Sequence, residues 1–266
     1  MDQRVQLVRV PSGAADRTEF INKAIREGAQ DLILILPEGA EAENEAAVSA
    51  LMDACLDGSV AAAFGKILPA PGTGFSAAFL ASSERFGLSG DFSREDLYTA
   101  GSSLLVFSDR PVMIRREALQ KLGLFEADCI FDPLSHWCAK ALYRGYRIRE
   151  TAAAVFASSK KPEGRFSLFK YYFTVGRMMK SGIQEFGFSI PLPGVQAEGR
   201  PNPAPFPGAA DGIARRLNET ASILKASGKR VNPLLMKLRL KKAVLAEKLG
   251  EKYLYLPEGF VKKNTL

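Results

Sequence analysis

Apolar and polar positions alternate in a way that predicts strands and helices by turns. Val5, Leu7 and the residues up to Val10 read as a short strand, and Pro11 to Asp16 as a turn-rich loop. Asp16 with Glu19 has the form of a capping box. Phe20, Ile21, Ala24 and Ile25 then make one apolar stripe, and Gly28 sits where a helix C-cap is wanted, so a helix is expected between them. Leu32 to Leu36 is apolar without interruption, the pattern of a strand covered on both faces, and a central parallel strand is expected there. An Ala-rich helix near Glu43 to Leu56, a strand near Val60 to Ile67 and a Pro/Gly turn at Pro69 to Gly74 continue an α/β alternation.

Residues 75 to 101 show no clean period. Ser103 to Phe107 and Val112 to Ile114 read as strands, and Arg115 to Leu122 as a helix closed by Gly123. Asp132 followed by Pro133 is a strong helix start, and Gly145 ends that helix. Tyr146 to Ile148 reads as a strand and Phe166 to Lys180 as a helix. Between Pro191 and Gly212, six Pro and four Gly occur with almost no aliphatic residue, the composition of a linker or long excursion. Helices are expected again at Ile213 to Ala226 and Pro233 to Leu249. The organisation read from this is an α/β domain over 1–190, the Pro/Gly-rich stretch over 191–212 and a basic helical segment over 213–266.

Composition narrows the class. With 266 residues, 47% hydrophobic and 24% charged, the chain can bury a sizeable core, which excludes disorder and fibrous repeats. No apolar run approaches the roughly 20 residues that span a bilayer, and residues 1–10 lack the apolar core of a secretory signal, so a cytoplasmic protein is expected. Cys55, Cys129 and Cys138 have no metal-ligand spacing and are expected to be reduced thiols. His136 is the single histidine, which excludes chemistry that needs a histidine pair. Residues 229–266 hold ten Lys or Arg against three Glu and so carry the whole net charge of +7. In that tail Leu234, Leu235, Leu238, Leu245 and Leu249 share one side of a helix, with Lys237, Arg239, Lys241, Lys242 and Lys248 around them. Either the leucines dock on the core and the lysines are a solvated face, or the helix lies on anionic lipid; peripheral, salt-sensitive membrane contact is expected. Nucleic-acid binding has only the charge in its favour, since no RNP-type, zinc-finger or helix-turn-helix pattern accompanies it.

Several stretches carry a resemblance. Asp96 to Gly123, DLYTAGSSLLVFSDRPVMIRREALQKLG, together with Phe64 to Pro69, Ala141 to Ile148, SLFKYYFTVG at Ser167 to Gly176 and AEKLGEKYLYLP at Ala246 to Pro257, resembles bacterial family 2 glycosyltransferases of the rhamnosyltransferase-like group in order and spacing. The resemblance implies a glycosyltransferase A-type fold with a mostly parallel sheet flanked by helices, shortened at its N-terminal edge. It also implies a nucleotide-sugar donor, a glycan acceptor in cell-surface polysaccharide and, in an active enzyme, a divalent ion such as Mn or Mg.

Projected onto this chain, the resemblance points to particular residues. Where the family carries its metal-binding Asp-x-Asp, the chain reads Leu36-Pro37-Glu38-Gly39, leaving Glu38 as the candidate metal ligand or as a solvated turn residue. Where the family carries its catalytic acidic pair, the chain reads Phe131-Asp132-Pro133-Leu134-Ser135-His136-Trp137. Asp132 and His136, four apart, are candidates for a displaced base or a metal pair, or an N-cap and a packing residue. Asp109 stands where the family's strand ends in Asn and is a candidate for substrate binding. Lys160 and Lys161 fall in place of the family's His-containing motif, as cations for a diphosphate or as a basic loop. Two functions follow: a sugar transferase that is degenerate or dependent on a partner subunit, or a non-catalytic scaffold or regulator on the same fold.

Overall fold

The computed structural model describes residues 8, 17–69, 74–82, 90–94, 96, 110–127, 129, 133–158, 168–186 and 209–252. The amphipathic stripe after the first loop forms α1 (Arg17–Glu27), and the aliphatic run forms β1 (Leu32–Ile35). Then come β2 (Ala40–Ala42), α2 (Ala46–Ala54), β3 (Val60–Pro69), α3 (Phe75–Ala81), β4 (Asp91–Phe92), β5 (Val112–Arg115), α4 (Arg116–Leu122) and α5 (Pro133–Tyr143). The chain continues with β6 (Arg147–Ser158), α6 (Leu168–Phe186), α7 (Ala209–Ala226) and α8 (Pro233–Lys252). Gly123 and Gly145 end α4 and α5 with φ of 88° and 85°, the left-handed geometry that glycine allows. The expected strands at Val5 to Val10, apart from Val8, and at Ser103 to Phe107 lie outside the described residues, as do the Asp16 cap and most of the Pro/Gly-rich stretch.

The fold is α/β, with helices on both faces of a sheet ordered β1-β5-β3-β6-β2, β4 also pairing with β6. The sheet is mixed rather than mostly parallel: β3 and β6 run parallel, and the other four pairings are antiparallel. The expectation for Leu32 to Leu36 is corrected in the same way. That strand sits at the sheet's edge, antiparallel to β5, with Leu32 opposite Arg115 and Ile35 opposite Val112. Its two apolar faces are nevertheless both used. Ile33 and Ile35 pack toward the core under α1, α4 and α5, whereas Leu32 and Leu34 pack toward the core under α2. A two-faced apolar run therefore reports helices on both sides and is silent about the direction of its neighbour. The edge position leaves all four residues half-buried.

At the sheet's centre, Val60 to Phe64 of β3 are fully buried, and three successive alanines let helices approach closely. Gly65 marks an irregularity in the β3·β6 register, where residues 151–154 bulge out between the Phe64–Glu150 and Lys66–Val155 pairs. A Cβ at Gly65 would lie 2.8 Å from the Ala154 carbonyl oxygen, so the bulge requires glycine. A third core joins α3, α6, α7 and α8 through Phe79, Tyr172, Val175, Ile213, Leu217, Ala243 and Ala246.

The basic tail helix docks on the protein, but not by Leu234, Leu235, Leu238 and Leu245 of the expected stripe. Met236, Leu240, Ala243, Val244 and Ala246 of α8 enter the third core, while Leu234, Leu235, Leu238 and Leu245 are exposed. No disulfide joins Cys55, Cys129 or Cys138. Burial pushes the Cys55 thiol up to about 11, and Cys138 is buried as well. No described helix is long and apolar enough to cross a membrane.

Candidate functional site

Four elements meet beside the carboxyl end of β1 and the amino end of β5, level with the middle of β3. After Ile35 the chain turns through Pro37 to Ala40, closed by the Ala40 N–H donating to the Pro37 carbonyl at 3.1 Å, and Gly39 takes the left-handed φ of 74° that this turn needs. The register pairs Ile35 and Phe64 with Val112 on either side of β5. Arg110 and Pro111, which lead into β5, therefore arrive at the same end of the sheet. The Gly65 N–H donates to the Pro111 carbonyl at 2.9 Å and pins that approach. The start of α1 and the start of α5 complete the walls.

Between them opens a cleft with about 580 Å³ of empty space, part of it continuous with solvent. Ile21, Ile35, Pro37, Phe125, Pro133 and Leu134 give it apolar sides, and Arg17, Thr18 and Arg110 give it polar ones. Arg110 is buried, and its Nη1 lies 2.5 Å from Oε1 of Glu150, itself buried on β6. The carboxylate fixes the guanidinium at the cleft wall and offsets the cost of burying it. No carboxylate is among the described lining residues; Arg110 is balanced by Glu150, so the net positive charge of the lining comes from Arg17. Such a cleft favours an anionic ligand with an apolar part.

The structure separates the residues that sequence had singled out. Glu38 is exposed on the turn directly after Pro37. His136 is buried in α5, with Nδ1 3.9 Å from Oε2 of Glu126, a carboxylate that also holds Lys140 at 3.1 Å. His136 is not among the residues lining the cleft. Asp109, Asp132, Lys160 and Lys161 lie outside the described residues. No cluster of three His, Cys, Asp or Glu able to hold a metal ion occurs among the described residues. What the structure does bring together is Pro37 with Pro133 and Leu134, nearly a hundred residues away in sequence. These are members of the two tripeptide-scale segments where the resemblance requires carboxylates.

Sequence reasoning missed Arg110, Arg17 and Glu150. Arg110 stands before the apolar run at Val112 and Glu150 between Arg149 and Thr151, and neither setting marks a charged residue as buried. A second charged cluster lies at the start of β6, built on the residues next to Glu150. Arg149 donates to Asp91 and reaches Asp57 at 3.3 Å, while Arg147 meets Asp91 at 2.6 Å. The Arg149 hydrogen bond holds Asp91 below the usual carboxylate range, and hydrogen bonds from Ser59 do the same for Asp57. This network ties β4 and the turn after α2 to β6.

No protein-family model matches the chain, and no curated protein matches it either. Among solved structures, it is similar to the mannosyltransferase PcManGT from Pyrobaculum calidifontis in complex with GDP-Man and Mn2+, at 15% identity over 95% of this chain, with a TM-score of 0.43. It is also similar to S. aureus TarS 1-349 in complex with UDP-GlcNAc, at 14% identity over 92% of this chain and 73% of that one, with a TM-score of 0.42. The chain spans 64% of the length of the mannosyltransferase.

Proposed function

We propose that the chain binds a nucleotide sugar in the cleft and acts as a glycosyltransferase-type protein. In the resemblance this means transfer of a sugar, rhamnose in the family's group, to a cell-surface polysaccharide. The observation that supports the reading is convergence. The Leu36–Gly39 turn, the entrance to β5 next to Asp109, and the start of α5 next to Asp132 are far apart in sequence. They supply Pro37, Arg110, Pro133 and Leu134 to a single cleft. That cleft opens beside the carboxyl end of β1 and the amino end of β5.

The diphosphate is met by guanidinium groups of the chain, whose planar fork suits phosphate oxygens. A divalent ion does not fit the described residues, because such an ion wants several carboxylate oxygens and the cleft lining offers none. No step is therefore routed through a metal. In the transfer reading, Asp132 takes the proton of the acceptor hydroxyl, the hydroxyl oxygen attacks the anomeric carbon, and the nucleoside diphosphate leaves. The replacement of expected carboxylates by Pro37, Pro133 and Leu134 favours a second reading, in which the chain binds the nucleotide sugar or a partner glycosyltransferase subunit without transferring sugar.

Calorimetric titration with UDP, GDP and TDP, each with and without manganese, tests the proposal. One of them is expected to bind with an affinity that manganese leaves unchanged. Arg17→Gln, at the rim, is expected to weaken binding by about tenfold, the value of one charge-assisted hydrogen bond. Absence of binding by all three would overturn the reading. Turnover of a nucleotide sugar that Asp132→Asn abolishes would select transfer over binding alone.

A further inference from the structure

We infer that α8 is a membrane-docking helix whose leucine stripe enters an anionic lipid surface. The inference stands independently of what the cleft binds. At 100° per residue, Leu234, Leu238 and Leu245 fall within about 40° of one another, and Leu235 borders them. Their side chains are 66%, 57%, 56% and 44% exposed. The other large exposed apolar residues among those described, Val8, Leu36, Met52, Leu56 and Tyr143, make no comparable row of four. Among the described residues, it is on α8 that they form a stripe.

The stripe is held in place. Asn232 caps the helix, its Oδ1 accepting from the Leu234 and Leu235 N–H groups at 2.9 and 3.3 Å. On the opposite side Ala243 and Ala246 sit in the third core, and the Arg239 guanidinium lies 3.5 Å over the Phe75 ring. The leucines are thus presented by a helix already anchored elsewhere.

Lys237, Lys241 and Lys248 flank the stripe on one side and Lys242 on the other, all exposed. Glu247, the acidic residue of α8 whose side chain is described, is buried on the core side. Leucines favour an apolar medium and the lysines favour anions. An aqueous polyanion satisfies only the lysines, and an apolar protein groove only the leucines. The interface of an anionic bilayer satisfies both, with the methylene stems of the lysines lying along the surface. The location of the chain's entire net charge of +7 in residues 229–266 is the complement such a surface needs.

Flotation of the full chain with phosphatidylcholine vesicles, with and without phosphatidylglycerol, tests the inference. Binding is expected on the anionic vesicles, about tenfold weaker on neutral ones, and falling as salt rises. Leu238→Ser combined with Leu245→Ser is expected to lower binding about tenfold, and Lys241→Gln with Lys242→Gln severalfold, with thermal unfolding and nucleotide affinity unchanged. Equal binding to neutral and anionic vesicles would overturn the inference, as would undiminished binding by the leucine variant. Loss of binding on deleting residues 253–266 would place the contact beyond α8 and overturn it too. So would a solution dimer that the leucine variant dissociates, or equally strong binding to RNA that the leucine variant retains.

Discussion

The sheet and the helical layer that follows it are held together by different chemistry. In the sheet, aliphatic side chains and alanines bring helices close on both faces. Val60 to Phe64 are fully buried between α2 on one face and Trp137, Cys138 and Leu142 of α5 on the other. In the helical layer, rings and guanidinium groups do the same work. Phe79 meets Tyr171 edge to face at 5.2 Å. The Arg216 guanidinium stacks 4.0 Å over Phe79 and 4.7 Å over Tyr171, and donates to the Phe79 carbonyl at 3.1 Å. Arginine can thus act as a core residue where its five donors find rings and carbonyls. A hydrophobicity pattern records the first kind of core and is blind to the second.

The contrast can be broken most severely at the sheet. Trp137 is 1% exposed, and its indole N–H donates to the Gly123 carbonyl at 2.9 Å. Trp137→Ala is expected to cost about 3–5 kcal/mol, read as a lower denaturation midpoint. The helical layer should give way more locally. Arg216→Met keeps an apolar stem between the rings but loses the hydrogen bonds and the cation–π contact, for an expected cost of about 2 kcal/mol. Limited proteolysis should then cut first in or near α7 and α8, leaving the sheet intact. Cutting first within β3 or β6 would contradict the division.

Acid should distinguish the regions without any substitution. Asp57 and Asp91 are held below the ordinary carboxylate value of 3.8, by hydrogen bonds from Ser59 and Arg149 respectively. Their contribution to stability is therefore complete above about pH 4 and lost as pH falls through their lowered folded-state values. The Phe79 carbonyl and ring that hold Arg216 do not titrate. Amide exchange near pH 3 is expected to rise at β4 and the start of β6 before it rises in α7, and the reverse order would refute this. The smallest effect is expected at the exposed stripe: Leu238→Ser should change stability by less than about 0.5 kcal/mol, in contrast to any buried leucine.

How much was legible in the sequence follows the same division. The helices α1, α2, α4 and α5, and the strands β3 and β5, came from clean periods and from Gly28, Gly123, Gly145 and Pro133. The direction of β1 was hidden because two-faced burial is the same for parallel and antiparallel neighbours. Only the first residues of β6 were legible, since Arg149, Glu150 and Thr151 break the apolar alternation. Their partners, Asp91 for Arg149 and Arg110 for Glu150, come from distant segments. On α8 the most hydrophobic stripe was visible, but small residues, Ala243 and Ala246, mark the docked side. Of the cleft, Pro37, Pro133 and Leu134 were legible as departures from a family pattern. Arg110 was not, because nothing local marks an arginine as buried.

The most direct test of the cleft is hydrogen–deuterium exchange of the full chain with and without a saturating nucleoside diphosphate. Binding in the cleft should protect amides at the start of α1, in the turn after β1, at the entrance to β5 and at the start of α5, leaving α8 unchanged. Protection confined to other segments, or none at a concentration where calorimetry shows saturation, would contradict the placement of the ligand.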